Sequence, residues 1–338
     1  MIDQVAPAGP PVTSRPSFSF YVPASRLERI KQAATFGDAL TVAGPKGPDI
    51  VRRLRDCGFE KPVLFDGLGY AGKELPAPDR WVAAQANAGA DRALLPGAFV
   101  PWDKEGCALL TTVIEEQARI AADLDATVLV ALDARWLAKR YEMLTDALTS
   151  VEGPVAVVLA DRADPLADGR AVMGLRWLAA RLHHLSILRS DHGALGAVAF
   201  GADHASIGLT TSTRHFAASG MKPFRLRDDS ARLFVRQLLD WFRAAQIAGW
   251  SAAGTDLLCA LQCCEGGTLD RYLDADRDAM WHNMNALADF AEYVVNAPAT
   301  DRSTVFLDVC RSAASRYGLA GIHGPEQPKA QLTSWVLS

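Results

Sequence analysis

The side chains best suited to chemistry stand directly after short apolar runs. Asp66 ends the run PVLFD and is followed by Gly67, Gly69 and Tyr70. A carboxylate at a strand end can act as a general acid or base, and glycines let a backbone approach a ligand closely. We therefore predict Asp66 as the leading catalytic residue, with Gly67, Gly69 and Tyr70 binding the substrate. The alternative is a turn aspartate that accepts hydrogen bonds from its own backbone.

Polar residues follow other apolar runs as well. Two such runs lie between Leu185 and His215, and the pair Asp191-His192 follows the first of them. This pairing is suited to acid–base catalysis, although adjacent strand residues point in opposite directions and His192 could equally cap a helix. The further catalytic candidates are Asp161, Asp191 and His192. The further substrate-binding candidates are Lys46, Ser206 and Arg214.

Eight apolar runs alternate with helical patterns over the first two thirds of the chain. This alternation predicts a (β/α)8 TIM-type barrel, in which the functional residues gather where the strands end. A doubly wound open sheet is the competing fold, but no GxGxxG turn follows the first run. The predicted strands are 18–22, 39–43, 62–66, 92–95, 127–132, 155–160, 185–188 and 205–209.

The chain divides into three predicted regions. Residues 1–17 are proline-rich and are predicted to form a flexible N-terminal arm. Residues 18–250 form the barrel, with 230–248 as its last helix, and 251–338 form a C-terminal helical extension containing helices 276–295 and 304–317.

Composition limits the functional class. Of 338 residues, 49% are hydrophobic and 22% charged, which predicts a sizeable packed core. The net charge of -4 argues against a uniformly basic nucleic-acid binder but leaves room for a local basic groove. The sequence contains neither a membrane-spanning apolar run nor the apolar core of a signal peptide. Six cysteines are too few for a disulfide framework, so a reduced cytoplasmic location is expected.

Three cysteines and a histidine suggest a metal site in the extension. Cys259, Cys263 and Cys264 lie within six residues, and His282 follows on a predicted helix. Thiolates and an imidazole are suited to tetrahedral zinc, so we expect a structural zinc ion here. The spacing is not that of a standard zinc knuckle, and the alternative is a set of buried apolar cysteines.

Two segments resemble tRNA-guanine transglycosylases. The segment 62–72, PVLFDGLGYAG, is similar to the family's DSGGFQ segment, and 201–214, GADHASIGLTTSTR, is similar to GVDMFDCVMPTR. The cysteine cluster and His282 stand where the family has a CxCxxC…H zinc site. The resemblance extends from residue 18 to about residue 290. It implies a barrel with a zinc-bearing extension, in which Asp66 acts with a substrate base.

The chain departs from this family at its reactive positions. The family's nucleophilic aspartate falls on Ser206 or Gly208, its guanine-recognising aspartate on about Gly97 and its glutamine on about Ala160. Leu261 replaces the middle zinc-ligating cysteine. A covalent intermediate needs the nucleophilic carboxylate, so the family's usual double displacement is not expected.

Three functions are consistent with these residues. The first is a diverged transglycosylase-like enzyme acting on a nucleoside or nucleic-acid base. The second is a non-catalytic partner or scaffold subunit that forms homo- or hetero-oligomers through the C-terminal helices. The third is an unrelated barrel enzyme for a small anionic metabolite, whose phosphate or carboxylate would be bound by Lys46, Arg135, Arg162 and Arg189.

A basic run could contact nucleic acid. Between residues 214 and 243 the cationic residues outnumber the acidic ones, which predicts a local face for tRNA or DNA. The alternative is an ordinary solvated helix face. The cationic residues of this run are Arg214, Lys222, Arg225, Arg227, Arg232, Arg236 and Arg243.

Overall fold

The computed structural model describes residues 15–218, 221, 231–273, 276–319 and 327–337. Parallel strands and helices alternate through its first part. The strands are β1 (Ser17–Pro23), β2 (Ala39–Ala43), β3 (Val63–Asp66), β4 (Ala98–Val100), β5 (Val128–Asp133), β6 (Val155–Ala160), β7 (Leu185–Ser190) and β8 (His204–Gly208). The helices are α1 (Leu27–Ala33), α2 (Gly47–Arg55), α3 (Pro78–Asn87), α4 (Lys104–Leu124), α5 (Arg135–Lys139), α6 (Tyr141–Thr149), α7 (Gly169–Ala179), α8 (Ala194–Ala199) and α9 (Thr211–Arg214).

The strand order identifies the fold. The eight strands hydrogen-bond in the order β3-β2-β1-β8-β7-β6-β5-β4, so the first strand pairs with the last. This order is a cyclic arrangement of the strands, as a barrel requires, interrupted between β3 and β4. The predicted (β/α)8 barrel is therefore confirmed, and a doubly wound sheet is excluded.

Helix α3 fills the seam between β3 and β4. Gln85 Nε2 donates to the carbonyl oxygen of Leu94 at 2.7 Å, and the Leu94 amide donates to Gln85 Oε1 at 2.9 Å. The indole nitrogen of Trp81 donates to the same carbonyl at 3.0 Å. These side chains replace the backbone partners that an adjoining strand would provide, which explains why Gln85 is fully buried.

The seam also corrects one predicted strand. The predicted strand 92–95 is wrong, because β4 lies at 98–100 and Leu94 forms only an isolated bridge to Thr127. Pro96 and Gly97 separate the two segments, and proline cannot donate to a strand ladder.

The C-terminal part begins with an antiparallel hairpin. The hairpin comprises β9 (Arg232–Val235) and β10 (Asp240–Arg243). Four helices follow it: α10 (Ala244–Ala252), α11 (Asp276–Val295), α12 (Arg302–Leu319) and α13 (Ala330–Leu337). The predicted helix 230–248 is therefore wrong. The side chain of Asn283 on α11 accepts from the Phe234 amide and donates to the Arg232 carbonyl, both at 2.7 Å. This tertiary pairing stabilises a strand where the local sequence also suits a helix.

Within the described ranges, no helix combines the length and apolarity needed to cross a lipid bilayer.

Candidate functional site at the barrel mouth

Asp66 lies at the end of β3 with no solvent exposure. Its Oδ2 accepts hydrogen bonds from the hydroxyls of Tyr21 at 2.5 Å and Tyr70 at 2.7 Å. Its Oδ1 accepts from the Leu68 amide at 2.9 Å. Three donors to one carboxylate stabilise its charge in a buried position. Asp66 therefore accepts from its own turn backbone, as the alternative predicted, and is also the centre of a buried polar network.

The two phenols of this network remain protonated. Burial, and then the nearby charge of Asp66, raise the pKa of both Tyr21 and Tyr70 well above the ordinary value. Each tyrosine is consequently a hydrogen-bond donor at neutral pH, with Asp66 as the acceptor.

Glycines 67 and 69 allow close packing beneath the network. A Cβ on Gly69 would lie 2.5 Å from the carbonyl oxygen of Pro96, and one on Gly67 would lie 2.8 Å from the Trp81 ring. Between them Leu68 adopts a left-handed backbone with φ of +65°. This turn brings Tyr70 back to Asp66. The two glycines therefore allow the segment after β3 to pack closely against the seam.

Arg189, at the end of β7, places a guanidinium beside the tyrosines. Its Nη1 donates to the Tyr70 hydroxyl at 3.4 Å, and its Nη2 donates to the Ser212 carbonyl at 3.0 Å. Its Nε is buried and has no hydrogen-bond partner among the described residues. The Arg189 backbone is left-handed, with φ of +51°, where the β7–β8 register is irregular. Such strain in a non-glycine residue is common at ligand sites.

Phe216 covers this group of polar side chains. Its ring centroid lies 4.9 Å from that of Tyr70 and 5.7 Å from that of Phe99, and the Arg189 guanidinium lies 5.2 Å from its centre. The Phe216 carbonyl accepts from the Asp161 amide at 2.9 Å, which fixes the segment after α9 across the end of β6. The site is therefore shielded from bulk water by an aromatic side chain.

The other predicted site residues lie elsewhere. Asp161 is half-buried, and its carboxylate accepts from the Ala163 amide at 2.7 Å. Lys46 is exposed at the start of α2, and Ser206 is buried inside β8. Asp191 and His192 are buried toward the C-terminal part, where Gln331 donates to Asp191 at 2.8 Å and Phe234 lies 5.3 Å from the His192 ring.

The structure thus brings together four of the predicted residues, Asp66, Gly67, Gly69 and Tyr70. It adds Arg189 and Tyr21, which were not among the leading candidates from the sequence. Arg189 was one of many strand-end residues, and Tyr21 was not singled out at all. Tyr21 does carry a signal, because the alternation SFSFY places Ser17, Ser19 and Tyr21 on one face of β1.

The cysteine–histidine cluster forms a second candidate site. The sulfur of Cys264 lies 3.2 Å from His282 Nδ1, and those of Cys259 and Cys263 each lie 3.9 Å from it. The Cys263 and Cys264 sulfurs are 3.6 Å apart. Ligands on a tetrahedral zinc ion are separated by about 3.5–3.8 Å, given zinc–sulfur and zinc–nitrogen bonds of about 2.3 and 2.0 Å. The ligand atoms of Cys259, Cys264 and His282 all lie within 4.8 Å of one another, so these three side chains fit such an ion, and Cys263 lies beside them.

The histidine is oriented by its other nitrogen. His282 Nε2 lies 3.0 Å from the Phe234 carbonyl, to which it donates, so Nδ1 presents a lone pair to the sulfurs. This is the usual support for a metal-binding imidazole. Burial raises the pKa of the Cys264 thiol, but its interactions with the His282 and Tyr272 side chains lower that pKa overall, to about 6.

Comparisons with known proteins give little beyond the architecture. No family model matches the chain, and no curated protein matches its sequence. A tryptophan synthase α-subunit mutant from Pyrococcus furiosus aligns with 14% identity and a TM-score of 0.38, covering 57% of this chain and 86% of its own. The type I 3-dehydroquinate dehydratase of Clostridium difficile aligns with 12% identity and a TM-score of 0.35, covering 60% and 88%.

A third structure is similar to the same degree. The 3-keto-L-gulonate-6-phosphate decarboxylase of Vibrio cholerae aligns with 13% identity and a TM-score of 0.37, covering 58% of this chain and 88% of its own. Likeness at this level carries no argument about substrate. The barrel assignment depends on the strand order instead.

The resemblance to tRNA-guanine transglycosylases is wrong. No family model supports it, and the structures reported above are barrel enzymes of other kinds. The two short segments that suggested it are a strand end with glycines and a strand followed by a polar turn, which many barrels contain. Transglycosylation and nucleic-acid modification therefore have no support here.

The predicted basic face is only partly described. Lys222, Arg225 and Arg227 lie outside the described residues. Arg214 is buried against the Trp241 ring, and Arg236 pairs with Asp289 at 3.0 Å, so neither offers an unpaired surface charge. Binding of tRNA or DNA, oligomer formation and a cytoplasmic location all remain predictions.

Proposed function

We propose that the protein is a barrel enzyme that binds a small anionic metabolite at the barrel mouth and moves a proton to or from it. The observation that carries this proposal is the half-buried Arg189 side chain, whose buried Nε lacks a partner among the described residues, set beside the Tyr70–Asp66 pair. A cation at the entrance to a buried proton relay favours acid–base chemistry on an anion.

Each residue has a defined role in this proposal. Arg189 binds the phosphate or carboxylate of the ligand, and Phe216 excludes water. The Tyr70 hydroxyl takes a proton from the ligand while its own proton moves to Asp66 Oδ2. Tyr21 donates to the same oxygen and holds the carboxylate in place. In the reverse direction the same relay returns the proton.

Ligand binding tests the role of Arg189. The purified protein is mixed with a panel of phosphate monoesters and small carboxylates, and the melting temperature is measured for wild type, Arg189→Met and Arg53→Met. Arg53 is an exposed arginine on α2, away from the candidate site residues, and provides the matched control. We expect at least one ligand to stabilise wild type and Arg53→Met but not Arg189→Met. A panel in which no ligand requires Arg189 contradicts the proposal.

Proton transfer is tested with the stabilising ligand itself. In deuterated water, we expect the proton NMR signal of an acidic carbon-bound hydrogen of that ligand to disappear with wild type and to persist with Asp66→Asn. Equal exchange rates for both proteins would exclude Asp66 from the chemistry.

We also propose that Cys259, Cys263, Cys264 and His282 hold a structural zinc ion. Support comes from the mutual closeness of Cys259, Cys264 and His282, with Cys263 beside them, and from the hydrogen bond between His282 and the hairpin carbonyl. Zinc would tie the cysteine segment to α11, and the hydrogen bond from His282 to Phe234 would connect the hairpin to the same histidine. Metal analysis should find stoichiometric zinc in wild type and in the exposed-cysteine control Cys107→Ser, and little in Cys264→Ser. Zinc-free wild type refutes this assignment.

A further inference from the structure

A second group of buried polar side chains lies between the barrel and the C-terminal part. Arg214 ends α9 and is 3% exposed, and its guanidinium stacks 3.8 Å from the centre of the Trp241 ring on β10. Trp241 in turn lies 5.3 Å from Phe234, which lies 5.3 Å from His192 after β7. His215 follows Arg214 directly in the chain, and none of these side chains takes part in the proposed proton transfer.

Four nitrogens of this group lack partners. They are Arg214 Nε, Trp241 Nε1, His192 Nδ1 and His215 Nδ1, all buried and without a hydrogen bond to any described residue. Buried polar nitrogens are normally satisfied, and two of these can act only as donors. Four unsatisfied nitrogens on neighbouring side chains form a donor set that a ligand with acceptor atoms would satisfy.

The local charges favour an anion. Arg214 donates to the Thr211 hydroxyl at 3.2 Å but forms no ion pair with any acidic residue in the described part of the chain. The nearest carboxylates are already engaged: Asp191 accepts from Gln331 and from the Gly193 amide, each at 2.8 Å.

Asp240 is engaged in the same way. It pairs with Lys329 and accepts from the Tyr317 hydroxyl at 3.3 Å. Burial lowers the pKa of Arg214 to about 10, so its guanidinium is still charged at neutral pH. The carboxylates of Asp191, Asp240 and Asp164 act on Arg214 through space, without a direct ion pair among the described residues, so its guanidinium keeps donors available for an oxyanion.

We propose that Arg214, Trp241, His192 and His215 form a binding site for a small oxyanion, a phosphate or a carboxylate, between the loops after β7 and β8 and the hairpin β9–β10. The Arg214 Nε–H and the indole N–H donate to the oxyanion, and each neutral imidazole donates through Nδ1. Ring stacking on Trp241 holds the guanidinium in one plane. This site is separate from the Arg189 site and goes beyond the function proposed above.

Calorimetric titration with inorganic phosphate, and separately with acetate, tests the site. All variants are made in the Arg189→Met background, which removes the anion ligand of the barrel mouth. We expect phosphate to bind to this background protein. Adding Trp241→Phe, which keeps an aromatic ring against Arg214 and removes the indole N–H, should weaken binding about ten- to a hundredfold, the usual range for a hydrogen bond to a charged group. Adding Arg214→Met should abolish it, while Trp250→Phe, a buried tryptophan outside the group, should leave it unchanged.

Several results would overturn the site. If neither anion binds to the Arg189→Met protein at low ionic strength, the four nitrogens are served by water. Phosphate affinity unaffected by Trp241→Phe would also reject it, even where Arg214→Met fails to fold. A stronger response to acetate than to phosphate would assign a carboxylate ligand. Because Arg189 is absent from all these proteins, failure here leaves the proposed function of the barrel mouth unaffected.

Discussion

Removing the phenol hydroxyls that hold Asp66 should destabilise the protein strongly and non-additively. Tyr21→Phe deletes one hydrogen bond to a buried carboxylate, and Tyr70→Phe deletes another together with the acceptor for Arg189. A hydrogen bond to a charged group contributes about 1.5–3 kcal/mol, so each variant should lose about that much unfolding free energy. Tyr70→Phe should lie at the upper end, while its ring keeps the packing against Phe216.

The double variant provides the sharper test. Either single change leaves Oδ2 of Asp66 with one phenol donor, whereas the double change leaves that oxygen with none and only the Leu68 amide on Oδ1. The cost should therefore exceed the sum of the single costs by about 0.5–3 kcal/mol, the usual range for coupled neighbours. Urea unfolding measures all three, with the exposed Tyr293→Phe as control. Single variants indistinguishable from that control would refute the view that the tyrosines stabilise a charged Asp66.

Three further predictions follow from the described contacts. Burial, and then the charge of Asp191, raise the pKa of Asp164 from 3.8 to about 8, so its contribution to stability is full below pH 3.8 and is lost as pH rises through 8. The unfolding free energy, measured with urea between pH 3.8 and 8, should fall in wild type and not in Asp164→Asn. If it falls equally in both proteins, the prediction is wrong. Gln85→Leu leaves the Leu94 amide without a partner and its carbonyl with only the Trp81 indole, and should cost about 1–3 kcal/mol; unchanged stability would show that Gln85 is not needed at the seam. Gly69→Ala places its Cβ 2.5 Å from a backbone carbonyl and should lower the melting temperature; an unchanged value would argue against the close approach at the seam.

Most of the barrel could be predicted because its strands are continuous apolar runs. The predicted strands at 39–43 and 155–160 coincide with β2 and β6, whose residues are all buried. Such runs are typical of parallel strands covered on both faces. The predictions failed where a distant side chain decides the outcome. Gln85 replaces a strand partner for Leu94, and Asn283 holds β9 extended, and neither relation is visible in the local pattern.

The candidate site was predictable to a similar extent. Asp66 and Tyr70 could be found because they follow a strand directly, within a few residues of one another. Tyr21 was missed because it lies inside a strand, where an aromatic residue suggests the core. Arg189 could not be separated from the other strand-end arginines, since only the fold shows that its guanidinium reaches Tyr70 while that of Arg135 is held by Asp133 at 2.6 Å.

The interior of the barrel has a polar wall and an apolar wall, and this division explains why Asp66 is held as a carboxylate. Strands β5 and β6 present leucine, alanine and valine inward, whereas β1 and β8 present hydroxyls and an imidazole. His204 bonds Ser17 at 2.8 Å and Ser19 at 2.9 Å, and burial lowers its pKa to about 4, so it is neutral. An inward face already committed to polar residues can place Tyr21 beneath Asp66. A uniformly apolar barrel would leave that buried carboxylate without the Tyr21 donor and would destabilise the fold.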